Sequence, residues 1–312
     1  MGESSTSRIG IDLGGTKIAA VALDAAGRVI FEQRVPTPAD YRGCLEAIGS
    51  LVAAADEATG VAGTVGIGIP GAISPASGRV KNANSTWLTG HPMDRDLAEV
   101  LGRPVRVMND ANCFALSEAT DGAGAGASVV FGVILGTGVG GGIVVNGTLL
   151  AGAQRIAGEW GHNPLPWARD DERPGPACYC GQSGCIETFL SGPGLAADYL
   201  GATGQARSSE EIAEAALAGD AGAADALARY VDRLGRALAV VVNVLDPDVI
   251  VLGGGVSGLP DLAARAEAAL AGRVFSDEIV TEIRLNRHGP ASGVRGAAWL
   301  WPRVGNGFDR SQ

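Results

Sequence analysis

The chain has 312 residues, of which 46% are hydrophobic, and its 24 basic and 34 acidic side chains leave a net charge of −10. This length and composition predict two folded domains of roughly 150 residues each and exclude an intrinsically disordered chain. Because no basic cluster, no apolar run of ~18 residues and no signal sequence is found, we expect a cytoplasmic protein without nucleic-acid or membrane partners.

The first third of the chain alternates predicted strands, glycine turns and predicted helices. The helix predicted at 41–59 has apolar residues at helical spacing and ends before Gly60. Such alternation is typical of an α/β fold. The predicted strands are 8–13, 18–23, 28–34, 65–69 and 105–108, and the predicted helices are 41–59, 95–101 and 113–119.

The second part of the chain begins by repeating the first. After a small, flexible stretch at 122–126, residues 131–136 align without gaps on residues 9–14. Each copy predicts a glycine-tipped hairpin followed by a third strand, so we expect a duplicated domain. Further on, the predicted helices are 210–218, 221–245, 260–271 and 294–301, and the predicted strands are 249–252 and 279–285.

The tips of the two predicted hairpins are candidate phosphate cradles. They read Gly14-Gly15-Thr16-Lys17 and Gly136-Thr137-Gly138-Val139-Gly140. Glycines let backbone N–H groups approach anionic oxygens closely, although a plain hairpin turn remains the alternative for either loop alone. The second loop is not a dinucleotide fingerprint, because residues 143–147 continue as a strand and a turn rather than a helix.

Two aspartates are candidates for the chemistry. Asp12 lies in the first predicted strand, where the repeat has Ile134; it could hold Mg²⁺ beside nucleotide phosphates or stabilise a turn. Asp110 lies between a strand and a helix, where a helix cap is the plain alternative. The neighbouring amides of Asn109 and Asn112 favour a general base that acts on a sugar hydroxyl.

Three of the five cysteines, Cys178, Cys180 and Cys185, lie within eight residues, and His162 precedes them by fifteen intervening residues. Three thiolates and one imidazole predict a closed, structural Zn²⁺ site, with free buried cysteines as the alternative. The remaining cysteines, Cys44 and Cys113, are predicted to be core residues.

Six motifs in the chain are residues 12–17, 66–71, 109–112, 135–142, 159–162 and 178–185. Together they resemble the ROK family (repressors, open reading frames and sugar kinases), and the resemblance runs from about residue 9 to residue 301. Within the family, residues 81–88, 162–167 and 295–301 look most like bacterial fructokinase (manno(fructo)kinase), whereas the N-acetylglucosamine kinase branch shares residues 109–118.

The resemblance implies a duplicated actin/hexokinase-like (ribonuclease H-like) α/β fold of two domains with a structural zinc loop. We expect an N-terminal actin-like ATPase domain at 1–121, closed by a C-terminal helix at 288–312. A second actin-like domain is expected at 122–287, with the zinc loop at 162–185. Family repressors carry a DNA-binding domain before the first hairpin, and only eight residues precede Ile9, so we expect a kinase.

The resemblance further implies ATP-dependent phosphorylation of a hexose at its C6 hydroxyl, with Asp110 as the base. D-fructose is the expected acceptor, with mannose or glucose in addition; the alternatives are an N-acetylglucosamine kinase, a glucokinase or a non-catalytic sugar sensor. A homodimer is the default expectation. The residues expected to bind sugar are Asn84, Asn109, Asp110, Glu159, His162 and Glu187; those expected to bind ATP and Mg²⁺ are Asp12, Gly14, Gly15, Thr16, Lys17, Gly136, Thr137, Gly138, Gly140 and Gly254; and the zinc ligands are His162, Cys178, Cys180 and Cys185.

Overall fold

The fold is described from a computed structural model, in which residues 7–83 and 85–301 are described. The chain divides into two units. The first comprises Met1–Asp121, Ala151–Ile156 and Pro290–Gln312, and the second comprises Gly122–Leu150 and Ala157–Gly289. Each unit contains one five-stranded sheet.

The sheet of the first unit is formed by β1 (Arg8–Leu13), β2 (Lys17–Leu23), β3 (Val29–Pro36), β4 (Thr64–Ile69) and β7 (Val105–Asn109), and a separate ribbon is formed by β5 (Ala72–Ile73) and β6 (Val80–Lys81). The strand order is β3-β2-β1-β4-β7. β1 runs antiparallel to β2 and parallel to β4, and β4 runs parallel to β7. β1, β2 and β4 are buried along nearly their whole length, which explains their almost continuous apolar sequences.

The helices of the first unit, numbered along the whole chain, are α1 (Tyr41–Thr59), α2 (Met93–Leu101), α3 (Asp110–Asp121) and α9 (Ser292–Ala298). The Asp40 side chain caps α1 by accepting the N–H of Gly43, and Gly60 ends it in a left-handed conformation at φ 72°. Ile48, Val52 and Ala55 of the predicted apolar stripe are buried. The predicted helix at 41–59 is therefore confirmed.

The sheet of the second unit is formed by β8 (Val129–Leu135), β9 (Val139–Val145), β10 (Thr148–Leu149), β11 (Val249–Gly253) and β12 (Glu282–Leu285). Its order is β10-β9-β8-β11-β12, with two antiparallel pairings followed by two parallel ones. The first sheet has the same succession of pairings. This equivalence confirms the predicted duplication.

A long helix organises the core of the second unit, whose helices are α4 (Ile186–Leu190), α5 (Gly192–Thr203), α6 (Ser209–Leu217), α7 (Ala221–Leu245) and α8 (Leu262–Ala268). Along α7, Tyr230, Leu234 and Leu238 are completely buried. None of the helices in the described ranges is long and apolar enough to cross a membrane.

Several predicted boundaries differ from the structure. α3 begins at Asp110 rather than at residue 113, α8 is shorter than the predicted helix at 260–271, and β12 begins at Glu282 rather than at 279. α9 begins two residues before the helix predicted at 294–301 and ends three residues before its end. It lies in the first half of the closing helix expected at 288–312, of which residues 302–312 lie outside the described residues. α5 was not predicted, because its glycine- and alanine-rich sequence has little amphipathic pattern.

Three glycines let α9 pack closely inside the first unit. A Cβ atom on Gly10 of β1 would overlap with the Val294 backbone oxygen, and one on Gly66 of β4 would overlap with that of Ala297. A Cβ atom on Gly296 would overlap with the backbone of Cys113 in α3. The helix therefore lies against the sheet and against α3 at distances that only glycine allows.

Candidate active site and metal centre

Asp12 and Asp110 stand at the same edge of the first sheet. Asp12 in β1 lies opposite Gly68 in β4, and Gly68 lies opposite Met108 in β7. Asp110 follows two residues after Met108. Because β1, β4 and β7 are parallel, their carboxyl ends meet at one edge, and the two carboxylates come to that edge together.

Cys113 is a buried thiol within electrostatic reach of both aspartates. Burial raises the pKa of Cys113 well above its usual value, and the negative charges of Asp12 and Asp110 add to this shift. Cys113 is completely buried, as predicted for a core cysteine. Burial also raises the pKa of Asp12, while the positive charge of Lys17 opposes the shift. Asp12 thus lies in a partly desolvated place where a cation would stabilise its charged form.

The first glycine loop connects β1 to β2 as a tight turn. The Gly14 N–H donates to the Lys17 carbonyl at 3.0 Å, and the Thr37 hydroxyl donates to the Gly14 carbonyl at 2.7 Å. The Thr37 N–H also donates to the carbonyl of Thr16. Gly15, Thr16 and Lys17 are exposed. Hydrogen bonds from Thr37 therefore fix the loop, while the residues at its tip remain accessible to solvent.

Asn109 provides the cap of α3. Its side-chain oxygen accepts the N–H groups of Ala111 at 2.9 Å and Asn112 at 3.4 Å. Asp110 is exposed, and its Oδ1 accepts the Ala111 N–H at 2.7 Å. Since Asn109 caps the helix, capping does not require a carboxylate at position 110. The predicted sugar-binding residue Asn84 lies outside the described residues.

The second glycine loop connects β8 to β9 and is tied to α4. The Val139 N–H donates to Glu187 Oε2 at 2.9 Å, and a Cβ atom on Gly138 would come within 2.6 Å of the same oxygen. Gly136 accepts the N–H of Gly192 at 2.8 Å. Glu187, predicted to bind sugar, therefore also sets the shape of the loop that contains Thr137.

Two further glycines of the second unit are required by close backbone approach. Gly254 follows β11 at φ 85°, and a Cβ atom there would overlap with the backbone of Leu135. This contact brings the predicted nucleotide residue Gly254 against the end of β8, beside the glycine loop. Gly140 accepts the indole N–H of Trp160 at 2.9 Å, which ties β9 to the short turn Trp160–His162 that follows Glu159.

The four predicted metal ligands come together in the second unit. His162 Nδ1 lies 3.6 Å from Cys178 Sγ, and Cys180 Sγ lies 3.6 Å from Cys185 Sγ. All four ligand atoms lie within 4.8 Å of one another. Zinc bonds of about 2.3 Å to sulfur and about 2.0 Å to nitrogen place tetrahedral ligand atoms about 3.5–3.8 Å apart. The cluster therefore fits a zinc ion.

The surroundings of the predicted zinc ligands shift the pKa values of two cysteines and of the neighbouring Tyr179. The backbone N–H of Gln182 lowers the pKa of Cys180, whereas burial raises that of Cys185 to about 12. On its other ring nitrogen, His162 Nε2 lies 3.0 Å from the Tyr179 hydroxyl. Partial desolvation, followed by the negative charges of Glu187, Cys178 and Glu159, raises the pKa of Tyr179 to about 12. Tyr179 is thus within electrostatic reach of two predicted sugar-binding carboxylates.

A buried ion cluster attaches the metal-binding segment to α7. Glu172 Oε1 accepts from Arg233 at 2.8 Å and from Arg236 at 2.7 Å. Arg236 also donates to the carbonyls of Pro166 and Trp167. Burial alone would raise the pKa of Glu172, but the hydrogen bonds from both arginines lower it to about 2. The ion pairs of Glu172 therefore attach the segment between His162 and the cysteines to α7, in addition to any bound metal.

The ROK family model matches residues 8–304 of the chain. The chain belongs to the ROK family. It is similar to the N-acetyl-D-glucosamine kinase of Escherichia coli O9:H4 (strain HS), with 43% identity over 296 residues, which cover 93% of this chain and 98% of that relative.

Two solved ROK structures share the fold over nearly the whole chain. The ROK hexokinase from Thermus thermophilus is 34% identical with a TM-score of 0.84, covering 94% of this chain and 97% of that one. The ROK glucokinase from Streptomyces griseus, in complex with glucose and AMPPNP, is 32% identical with a TM-score of 0.74, covering 94% and 98%. The expected actin/hexokinase-like fold is confirmed, and the chain is an ATP-dependent sugar kinase of the ROK family.

Sequence reasoning missed two features of this ROK site. One is the contact between Tyr179 and His162, for which the spacing of the ligands gives no signal. The other is the ion cluster of Glu172. Arg233 and Arg236 lie beside the apolar residues Tyr230, Leu234 and Leu238 of α7. This position was a usable signal, since buried arginines require acidic partners.

We expect the purified protein to contain one zinc ion per chain and the Cys180→Ser variant to contain none. Zinc binding and folding are coupled, so this variant should also unfold at a lower temperature. Metal analysis by plasma mass spectrometry and thermal unfolding check this. Cys44→Ser is the matched control, because Cys44 is a buried cysteine of the first unit that is not one of the four predicted ligands. Active protein without zinc would contradict the assignment.

We expect Glu172→Gln to lower the free energy of unfolding by about 2 kcal/mol, because Arg233 and Arg236 lose the carboxylate they share and keep only Asp198 and Asp232 as acidic partners. The matched control is Glu46→Gln, whose pair with Arg42 is exposed and should cost less than about 1 kcal/mol. Since the folded pKa of Glu172 is lowered to about 2, its contribution should be lost as pH falls from about 4.5 to about 2. Urea unfolding at several pH values measures the difference, and a difference independent of pH would contradict the ion cluster.

Proposed function

We propose that this ROK kinase transfers the γ-phosphoryl group of ATP to the C6 hydroxyl of a hexose. The observation that supports this most directly is the presence of Asp12 and Asp110 at one carboxyl edge of the first sheet. Phosphoryl transfer needs a charge-neutralised nucleotide and a deprotonated acceptor oxygen. Asp12 would serve the first need and Asp110 the second.

The geometry around Asp110 suits a general base. The carboxylate is exposed at the start of the twelve-residue helix α3, where the helix dipole favours a negative charge. As the bond from O6 to the γ-phosphorus forms and the bond to the leaving ADP breaks, Asp110 would accept the proton of the C6 hydroxyl. Asn109, which orients the turn through its cap, would hold a neighbouring sugar hydroxyl.

Each unit offers one glycine-tipped hairpin whose backbone groups would bind nucleotide phosphates. In the first unit the exposed tip of Gly15, Thr16 and Lys17 offers N–H groups and one ammonium group, and Gly14 closes the turn. The equivalent loop in the second unit is Gly136–Gly140, with Gly254 beside it. Mg²⁺ bound to ATP would supply charge neutralisation, and the partly desolvated Asp12 would hold it directly or through water.

For the acceptor we propose N-acetyl-D-glucosamine. The support is the curated relative of 43% identity, which is an N-acetyl-D-glucosamine kinase. Glu159, His162 and Glu187 of the second unit would bind sugar hydroxyls. D-fructose is the second candidate, because residues 81–88 and 162–167 look most like those of bacterial fructokinase.

We expect Asp110→Asn to lower kcat roughly 10²- to 10⁴-fold with little change in the KM for sugar, because asparagine cannot accept the proton. Asparagine caps helices as well as aspartate does, so a mere cap would tolerate this change. The matched control is Asp220→Asn, since the Asp220 side chain caps α7 by accepting the Ala223 N–H. A coupled ADP-release assay measures both variants, and equal kcat values would exclude Asp110 as the base.

A panel of hexoses in the same assay tests the acceptor. We expect the highest kcat/KM with N-acetyl-D-glucosamine, since a site built to bind an acetamido group loses affinity for sugars that lack it. Mannose, glucose and fructose are the comparisons. A higher kcat/KM with D-fructose would instead support the second candidate, and no turnover with any hexose would favour a non-catalytic sugar sensor.

A further inference from the structure

The imidazole of His162 uses both of its ring nitrogens. Nδ1 faces the Cys178 sulfur at 3.6 Å, and Nε2 faces the Tyr179 hydroxyl at 3.0 Å. The two rings meet edge to face, with centroids 5.2 Å apart and planes at 89°. Tyr179 therefore contacts the side of the imidazole that is turned away from the cysteine cluster.

The position of the imidazole proton follows from metal chemistry. A histidine nitrogen that binds zinc carries no proton, so a neutral His162 that presents Nδ1 to zinc carries its proton on Nε2. Nε2–H then donates to the Tyr179 oxygen. A hydrogen bond of this kind orients a zinc-bound histidine, so Tyr179 belongs to the outer part of the metal site.

The same N–H is the donor that a sugar would need. In this tautomer His162 has a single N–H, and the proposed role of His162 in sugar binding has to use it. Because the Tyr179 oxygen already accepts that proton, a sugar oxygen can accept it only by taking the place of the tyrosine hydroxyl.

Tyr179 can give up this position without disturbing the metal site. Its side chain is 73% exposed, so water can bind the hydroxyl after it moves. Its backbone lies in a turn that is closed by a 3.0 Å hydrogen bond from the Gly181 N–H to the Cys178 carbonyl. Rotation of the side chain alone would therefore release His162, while the neighbouring cysteines stay in place.

We propose that Tyr179 competes with the acceptor sugar for the Nε2–H of His162 and thereby sets the affinity for that sugar. This inference rests on the proposed function. A sugar that presents a hydroxyl oxygen to His162 replaces the tyrosine. The hydrogen bond between Tyr179 and His162 must break before the sugar binds, and this lowers the affinity for every such sugar by the same factor.

Replacing Tyr179 by phenylalanine keeps the ring and removes the competing hydroxyl. In calorimetric titrations of the zinc-loaded protein without ATP, Tyr179→Phe should bind N-acetyl-D-glucosamine and D-fructose about three- to tenfold more tightly than wild type, which corresponds to one net hydrogen bond. Both proteins are titrated after metal analysis has shown one zinc ion per chain, so that a change in Kd does not reflect loss of metal. The matched control is Tyr199→Phe in α5, which should leave the Kd unchanged.

A second measurement follows the hydrogen bond directly. The chain has three histidines, so the Nε2–H resonance of His162 can be assigned in nitrogen-15 NMR spectra. Without sugar, Tyr179→Phe should shift this resonance. At saturating sugar, wild type and variant should give the same resonance, because the same sugar oxygen accepts the proton in both.

The two hypotheses can fail separately. An unchanged or raised Kd in Tyr179→Phe, or resonances that still differ at saturation, would overturn the competition while turnover by wild type upholds the proposed function. A wild type that binds a hexose without phosphorylating it would overturn the proposed function and leave the competition measurable. Absence of hexose binding by both proteins would overturn both.

Discussion

Parallel strands that end together impose one constraint on everything that follows them: their loops must gather at a single edge. In the first unit this constraint acts through β1, β4 and β7, which bring Asp12, the turn at Gly14 and Asp110 to the same edge. The second unit repeats the arrangement with β8 and β11, so that Gly254 lies against Leu135. The phosphate binding proposed for each unit depends on the edge at which its parallel strands end.

The metal-binding segment obeys a different constraint, because it has few backbone hydrogen bonds of regular structure. Two attachments replace them. The cysteines and His162 meet at one end, and Glu172 meets two arginines of α7 at the other. His162 also ends the short turn that begins at Trp160, and the indole N–H of Trp160 donates to Gly140 in β9. Residues expected to recognise sugar therefore depend on a segment that is held from both sides.

The parts of the molecule that could be predicted are those with a local or repeated signal. The duplication was visible because both copies place a glycine hairpin between apolar strands. The metal ligands were visible because three closely spaced cysteines preceded by a histidine are typical of a zinc site. Helix α1 followed from its apolar stripe and from Gly60, whereas α8 and α9 had uncertain ends because alanine and glycine give little periodicity.

Long-range contacts could not be predicted in the same way. Glu172 and Arg233 are 61 residues apart in the chain, and only the path of the intervening helices brings them together. The contact of Tyr179 with His162 depends on how the loop turns around the metal ligands. The sequence offered Asp110 as a cap of α3, whereas the side chain of Asn109, one residue earlier, accepts the N–H groups of the first turn. Both residue types cap helices well, so the sequence could not distinguish the two positions.

The close packing of α9 has a consequence for synthesis on the ribosome. Gly10 and Gly66 belong to strands near the start of the chain, yet the helix that covers them is translated after the whole of the second unit. Domains usually fold in the order in which they emerge. Here the nascent first sheet must wait with an uncovered apolar face, so the second unit can finish folding earlier than the first.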